Sequence, residues 1–150
     1  PALQLDDETV IMESTAICRY LEALYPEPNL FGESPIEIAS IEMWQARVFN
    51  ELMIPLAMGF RHLHPAMSKL EVQNKDYGET QLNIGIKSLK YFNGMLSESE
   101  FVAGDRYTFA DIQMITTTDF FIGLNRLELK DYPEIERHTK LMSQRESFSA

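Results

Sequence analysis

The sequence is poor in several features that mark particular classes of protein. It has a single cysteine, Cys18, in 150 residues, so an intrachain disulfide framework is impossible and we expect a reducing, cytoplasmic setting. No apolar run approaches the ~20 residues of a membrane-spanning helix, and no signal peptide is visible, so we expect no membrane partner. Lys and Arg number 13 against 23 Asp and Glu, and this net charge of −10 argues against a nucleic acid partner, whose phosphates need cationic side chains.

The side chains that are present fit a globular domain without a metal site. Hydrophobic residues make up 45% of the sequence and charged residues 24%, and 150 residues can bury a sizeable core. His62 and His64 point to different sides of a helix, and no cysteine or carboxylate cluster joins them at metal-ligand spacing. With Arg61 they are placed to neutralise the carboxyl end of a helix that stops before Pro65. We therefore expect no bound metal.

The first 24 residues change from strand to helix periodicity. Two short apolar runs flank Asp6–Glu8, a polar trio able to form a tight turn, and predict a β-hairpin. After Met12 the apolar residues recur at helical spacing. This helical stripe consists of Ala16, Ile17, Tyr20, Leu21 and Leu24. The chain therefore passes from a hairpin directly into a helix that opens at Glu13 and Ser14.

The Glu13–Ser14 pair at this junction admits two interpretations. Ser14 can simply cap the helix through its hydroxyl, with Glu13 in solvent, as most serines at such positions do. Alternatively, the unpaired first-turn N–H groups and the helix dipole bind a carboxylate to which Ser14 donates, while Glu13 accepts from an ammonium group. A ligand with an α-amino acid end fits the second arrangement. The residues alone leave both interpretations open.

The segment Tyr25–Pro35 forms the first boundary, because its prolines and its glycine are loop signals. Leu30 and Phe31 within it either anchor the linker to a neighbouring domain or cover local core. Ser34 then precedes a proline, and Glu37 follows three residues later, which predicts a helix start with a capping box.

Apolar residues recur at helical spacing over 36–63 and predict one long helix, kinked where Pro55 removes a hydrogen bond. Met53 and Phe60 on this helix are candidates for the wall of a pocket for apolar molecules. The alternative is ordinary bundle core or dimer surface, since methionine commonly fills gaps in cores. Residues 66–99 predict the next helical region, with a break or wide turn at Asn74–Gly78.

The carboxyl-terminal third is dominated by capping patterns. Thr108 and Asp111 have the spacing of a capping box, and Tyr107 and Ile112 that of a hydrophobic staple, so we interpret Asp111 as a folding residue rather than a catalytic one. The helix that follows, 112–124, is apolar on most faces, which is typical of the centre of a bundle. A further capping pattern at 131–134 opens the last helix. One side of that helix carries Ile135, His138, Leu141, Met142 and Arg145.

The stretch that resembles a known family most clearly is PALQLDDETVIMESTAICRYLE, which is similar to the last part of the thioredoxin-like domain of soluble glutathione transferases. The resemblance continues through YPEPNLFGESP, FVAGDRYTFADI and YPEIERHTKLMSQRESFSA and covers essentially all 150 residues. It implies a mostly α fold. Residues 1–25 would be the hairpin and helix of a truncated thioredoxin-like α/β domain, 26–35 a linker, and 36–150 an all-helical bundle.

The resemblance also implies a function. Glu13 and Ser14 would hold the γ-glutamyl end of glutathione, the co-substrate, and Pro1 matches the cis-proline that starts the family's hairpin. Met53 and Phe60 would contact a small apolar electrophile. The family's thiol-activating Ser, Tyr or Cys lies ahead of this hairpin, so we expect no catalytic residue within 1–150 and no activity from this stretch alone. A homodimer is expected.

Two further expectations follow from the family pattern. His138 stands where the pattern often has tryptophan, so its ring should pack rather than catalyse. The rival to an enzyme is a non-catalytic interaction module, since domains of this kind also serve as assembly and dimerisation units.

Overall fold

The chain opens with a small antiparallel sheet. The computed structural model describes residues 1–123 and 127–148. Strand β1 (Ala2–Gln4) pairs with β2 (Val10–Met12), with Leu3 opposite Ile11. In the turn, the Glu8 amide donates to the Leu5 carbonyl at 3.0 Å, and Glu8 adopts a φ of 69°. The predicted hairpin is confirmed, with its turn at the polar trio.

Helix α1 (Ser14–Leu24) follows β2 after a single residue and lies on the outside of the molecule. The chain then enters the linker, which contains a cis peptide bond between Glu27 and Pro28. Helix α2 (Pro35–Arg47) begins as predicted, since Ser34 Oγ accepts from the Glu37 amide at 3.2 Å. The Glu37 carboxylate in turn accepts from the Glu33 amide through its Oε2, at 3.0 Å.

The predicted single helix over 36–63 is divided. Between α2 and helix α3 (Ile54–Leu63) lies a π-helical turn, Val48–Met53. The wider π turn lies directly ahead of Pro55, whose ring nitrogen has no hydrogen to donate to the preceding turn. A 3₁₀ turn (Pro65–Lys69) follows α3.

The break predicted at Asn74–Gly78 is wrong. Helix α4 (Lys75–Leu96) begins at Lys75, because Asn74 Oδ1 accepts from the Tyr77 amide at 3.0 Å and caps it. Gly78 lies inside the helix, where it allows close approach of α3. A Cβ added at Gly78 would lie 2.8 Å from Leu63 Cγ.

Helix α5 (Phe109–Gly123) and helix α6 (Pro133–Ser143) complete the bundle with two short 3₁₀ turns, Leu129–Asp131 and Glu146–Phe148. Helix α5 is buried on most faces, as predicted, but Phe120 is 54% exposed. Its predicted end at Leu124 lies outside the described residues.

The core lies where the π turn, α3, α4, α5 and α6 meet. It contains Val48, Leu52, Leu56, Leu89, Phe92, Leu96, Val102, Ala110, Met114, Phe121, Leu127 and Ile135. The mostly α fold, with a hairpin–helix unit ahead of a helical bundle, is confirmed. In the part of the chain that the structure describes, no helix is both long and apolar enough to cross a membrane.

Candidate functional site

Glu13 occupies the position just before α1, with φ 71° and ψ 127°. Only this residue separates β2 from α1, so the whole change of direction falls on its backbone. Such a conformation is unfavourable for a residue with a side chain and costs about 1–3 kcal/mol. Ser14 is the first helical residue, so the interpretation that its hydroxyl caps the helix is wrong. The Glu13 side chain makes no capping hydrogen bond to the described residues either.

The amino end of α1 is therefore left with free donors. The first intrahelical bond from this end runs from the Ile17 amide to the Glu13 carbonyl at 3.0 Å, which leaves the amides of Ser14, Thr15 and Ala16 without an acceptor inside the helix. Glu13, Ser14 and Ala16 are exposed. Free amides, the helix dipole and an exposed hydroxyl favour an anion here, while the Glu13 carboxylate favours a neighbouring cation.

Pro1 is exposed and directly precedes β1. The β1–β2 hairpin therefore connects this proline to the Glu13–Ser14 junction through a short paired ladder.

Of the two pocket-wall candidates, Phe60 lines a small apolar cavity of about 30 Å³ between α3, α4 and α5, beside Leu56, Leu82 and Phe121. This volume suits a single water rather than an organic ligand. Phe60 also stacks on His64, with ring centroids 4.7 Å apart, and meets Phe120 edge-on at 6.4 Å. Met53 lies half-buried in the π turn and does not line this cavity.

Larger clefts lie elsewhere, and two of them are partly apolar. One, of about 400 Å³, lies between α5 and the carboxyl-terminal segment and is lined by Ile112, Asp119 and Arg145 among others. The second, of about 350 Å³, is an apolar groove between α1, the linker and α5, and the Cys18 thiol lies on its wall. Burial raises the pKa of this thiol, which keeps it protonated and makes it a poor nucleophile.

Asp111 has the structural role expected of it. Its Oδ2 accepts from the Thr108 amide at 2.9 Å and from the Thr108 hydroxyl at 3.0 Å. Its Oδ1 accepts from the Val102 amide at 2.8 Å and lies 2.9 Å from His138 Nε2. Both Asp111 and His138 are buried. The prediction that the His138 ring packs in the core is confirmed.

A polar network that was not predicted from the sequence surrounds the linker. Arg106, in the loop before α5, binds Asn29 of the linker and Glu37 of α2, while Glu22 of α1 binds the same linker from the other side. The sequence contains no local signal for it, because Arg106 and Asn29 are far apart along the chain.

Metal binding is not indicated by any cluster in the described residues: within 1–123 and 127–148, no group of three or more His, Cys, Asp and Glu side chains could hold an ion.

Comparison with family models agrees with this geometry. Residues 53–146 match the family model described as "Glutathione S-transferase, C-terminal domain". The chain belongs to the glutathione S-transferase family. Residues 1–29 match the model for the N-terminal domain of glutathione S-transferase, so the hairpin, α1 and part of the linker fall within it.

Individual relatives extend the comparison. Glutathione S-transferase 2 of Saccharomyces cerevisiae is 37% identical over 150 residues, a match that covers 98% of this chain and 64% of the yeast protein. The chain thus spans less than two thirds of that relative. The crystal structure of Gtt2 from the same organism superposes with a TM-score of 0.92 and 34% identity, over 99% of this chain and 73% of the other. Elongation factor 1-gamma 3 of rice is 28% identical over 94% of this chain and 33% of its own length.

Proposed function

We propose that this chain belongs to a glutathione transferase and supplies the binding site for the γ-glutamyl end of glutathione. The observation that carries the proposal is the amino end of α1, where Ser14 and the free amides face solvent beside the Glu13 carboxylate. The amides and the Ser14 hydroxyl would bind the α-carboxylate, and Glu13 would accept from the α-ammonium group. Pro1 would support this site from the start of the hairpin.

The reaction proposed for the whole protein is attack of the glutathione thiolate on a small apolar electrophile. No residue of this chain is assigned the thiol-activating role, and Cys18 is unsuited to it because burial keeps its thiol protonated. Met53 and Phe60 remain the proposed contacts to the electrophile. We assign residues 1–25 to the glutathione-binding domain, 26–35 to the linker and 36–150 to the helical domain. The single cysteine supports a cytoplasmic location.

A homodimer belongs to the same proposal. Met43 on α2 and Ile84 and Tyr91 on α4 are each more than 40% exposed. The two helices are joined there by Arg47, whose Nη1 donates to Tyr91 Oη at 2.7 Å. We propose these exposed apolar side chains of α2 and α4 as the two-fold contact between copies.

Glutathione binding by the full-length natural protein tests the assignment. Ser14→Ala should weaken binding by roughly 0.5–3 kcal/mol, the range between a neutral and a charged hydrogen bond. Ser97→Ala is the control, because Ser97 Oγ donates only locally to the Gly94 carbonyl, at 2.6 Å, at the end of α4. If calorimetry shows that Ser14→Ala keeps its fold and binds glutathione with unchanged affinity, the assignment of Ser14 to the glutathione site is wrong.

A non-catalytic assembly module is the second candidate, and the likeness to elongation factor 1-gamma 3 of rice favours it. The two candidates differ in turnover. An enzyme conjugates glutathione to an aryl halide in a reaction that saturates with both substrates, whereas a module of this kind gives only the uncatalysed rate.

A further inference from the structure

Helix α1 is attached to the rest of the molecule with little apolar burial. No residue of α1, which is described throughout, is buried, and Leu21 and Leu24 are 41% and 53% exposed. Burial of apolar area therefore contributes little to fixing the orientation of this helix. Its polar contacts have a larger part in this: Arg19 binds Glu42 of α2, and Glu22 binds the linker.

Glu22 binds the linker from the side of α1. Its Oε2 accepts from the Leu30 amide at 2.7 Å, and its Oε1 accepts from the Phe31 amide at 3.0 Å and from Asn29 Nδ2 at 3.2 Å. One carboxylate thus binds three consecutive linker residues. Hydrogen bonds to a charged acceptor are stronger than neutral ones.

Arg106 binds the same linker from the side of the bundle. Its Nη2 donates to Asn29 Oδ1 at 2.9 Å, its Nη1 to the Asn29 carbonyl, and its Nε to Glu37 Oε1 at 2.7 Å. The planar guanidinium fixes the angle between these partners, which a lysine ammonium would not. We call Glu22, Asn29, Glu37 and Arg106 the linker clasp.

The linker residues that Glu22 holds are themselves fixed on α5. The Phe109 amide donates to the Leu30 carbonyl at 2.9 Å. The Phe31 ring, 5% exposed, stacks on Phe109 with centroids 4.5 Å apart. The clasp therefore forms a continuous series of hydrogen bonds from α1 through the linker to the first turn of α2 and the loop before α5.

We propose that Arg106 is a positioning residue for glutathione: through the linker clasp it holds α1, and with it the amides at Ser14, in the orientation that binds the γ-glutamyl end. The inference rests on the function proposed above for Glu13 and Ser14. Arg106 itself contacts no part of that site. If the clasp opens, α1 samples several orientations, and affinity falls in proportion to the fraction of molecules in the binding orientation.

Substitution of Arg106 in the full-length natural protein provides the first test. Arg106→Met should weaken glutathione binding about 2- to 30-fold, as residues that couple to a site without touching its ligand do. Arg106→Lys should bind glutathione more tightly than Arg106→Met, because lysine keeps the positive charge but lacks the planar guanidinium. Glu22→Gln should act in the same direction, and the double variant should lose less than the two single losses combined.

Arg137→Met is the matched control. Arg137 is 40% exposed against 37% for Arg106, and it too binds two carbonyls and a carboxylate, those of Leu96, Ser99 and Glu134. These partners all lie in the bundle. Arg137→Met should therefore lower stability and leave glutathione affinity unchanged.

Hydrogen exchange shows whether a loss of affinity comes with a loss of order in α1 and the linker. Arg106→Met should speed exchange in α1 and at the Leu30 and Phe31 amides, with α4 unaffected, and saturating glutathione should slow the same amides in the unsubstituted protein. Unchanged glutathione affinity in Arg106→Met, with or without faster exchange, would overturn the inference while leaving the proposed function intact. Failure of the unsubstituted protein to bind glutathione would instead overturn the proposed function, and the inference with it.

Discussion

At the scale of single residues, Asp111 has more partners than a helix cap requires. Removal of a helix cap alone lowers the free energy of unfolding by about 0.5–2 kcal/mol. Asp111→Ala also strips acceptors from the buried Val102 amide and from His138, so we expect the free energy of unfolding to fall by roughly 2–5 kcal/mol. Chemical denaturation measures this. Glutathione affinity of the folded fraction should not change.

Asp119→Ala is the control on the same helix. Because Asp119 is exposed, this substitution should change the free energy of unfolding by no more than about 0.5 kcal/mol. If the denaturation midpoints of Asp111→Ala and Asp119→Ala coincide, the structural role of Asp111 is refuted.

Glu37 gives the clasp a dependence on pH. Hydrogen bonds from the Glu33 amide and then from Arg106 lower the pKa of the Glu37 carboxyl below its ordinary value of 4.5. The ionised form is thus favoured by folding, so its stabilising contribution is complete above pH 4.5 and disappears as the pH falls through the lowered pKa. Urea midpoints of the unsubstituted protein and Glu37→Gln should differ at pH 7 and converge below pH 4.5. A difference that stays constant over this range would contradict the prediction.

At the scale of elements, α3 and α4 pack closely because glycine lies at their contact. A Cβ at Gly85 would meet Leu56 Cδ2 at 2.6 Å, whereas a Cβ at Gly94 has no described atom within 4 Å. Gly85→Ala should therefore destabilise the protein by about 1–3 kcal/mol through overpacking. Gly94→Ala in the same helix should stabilise it by about 0.5–1 kcal/mol. Thermal unfolding of the two variants in parallel checks both signs, and two stabilised variants would show that the contact is looser than the structure has it.

Elements specified by neighbouring residues were predictable from the sequence. The hairpin turn, the start of α2 at Ser34 and the Thr108–Asp111 cap all depend on residues within four positions of one another. The π turn was not predictable, because helical periodicity continues through it. Helix α6 begins within the predicted 131–134, but its cap was not predictable. Its first amides, at Glu134 and Ile135, donate to Asn93 Oδ1 from α4, at 3.0 and 3.2 Å.

The residues of the candidate site were likewise predictable where they are neighbours in the sequence and not where they are distant. Glu13 and Ser14 were predicted as a pair because they are adjacent and follow a hairpin, although which of them precedes the helix was not. Arg106 and Glu22 were missed, since their common partner Asn29 lies in a different element from either. Such contacts depend on how the elements pack, and no local pattern records that.

The Asn93 cap yields a prediction of its own. Asn93→Ala should lower the free energy of unfolding by about 0.5–2 kcal/mol, because two amides at the start of α6 lose their acceptor. Asn93→Asp keeps an acceptor oxygen and should retain most of the stability. Equal losses in the two variants, measured by chemical denaturation, would argue against capping.

At the scale of the whole molecule, residues 1–150 alone should self-associate and lack conjugating activity. The two-stranded sheet leaves strand edges unpaired, and Val10 and Met12 on β2 are 54% and 63% exposed. No thiol-activating residue is expected within this stretch. Light scattering and a conjugation assay on the isolated 150 residues measure the two properties. A stable monomer contradicts the first, and turnover that Cys18→Ala abolishes contradicts the second.

At Glu13, the residue that best suits the backbone conformation differs from the residue that best suits ligand binding. Glycine would adopt φ 71° without strain, so a search for thermostable variants should be drawn to Glu13→Gly. The same change deletes the carboxylate that the proposed site offers to an ammonium group. Variants improved at this position for heat resistance should therefore be poorer glutathione binders, and an engineer who wants both properties has to find the stability elsewhere in the bundle.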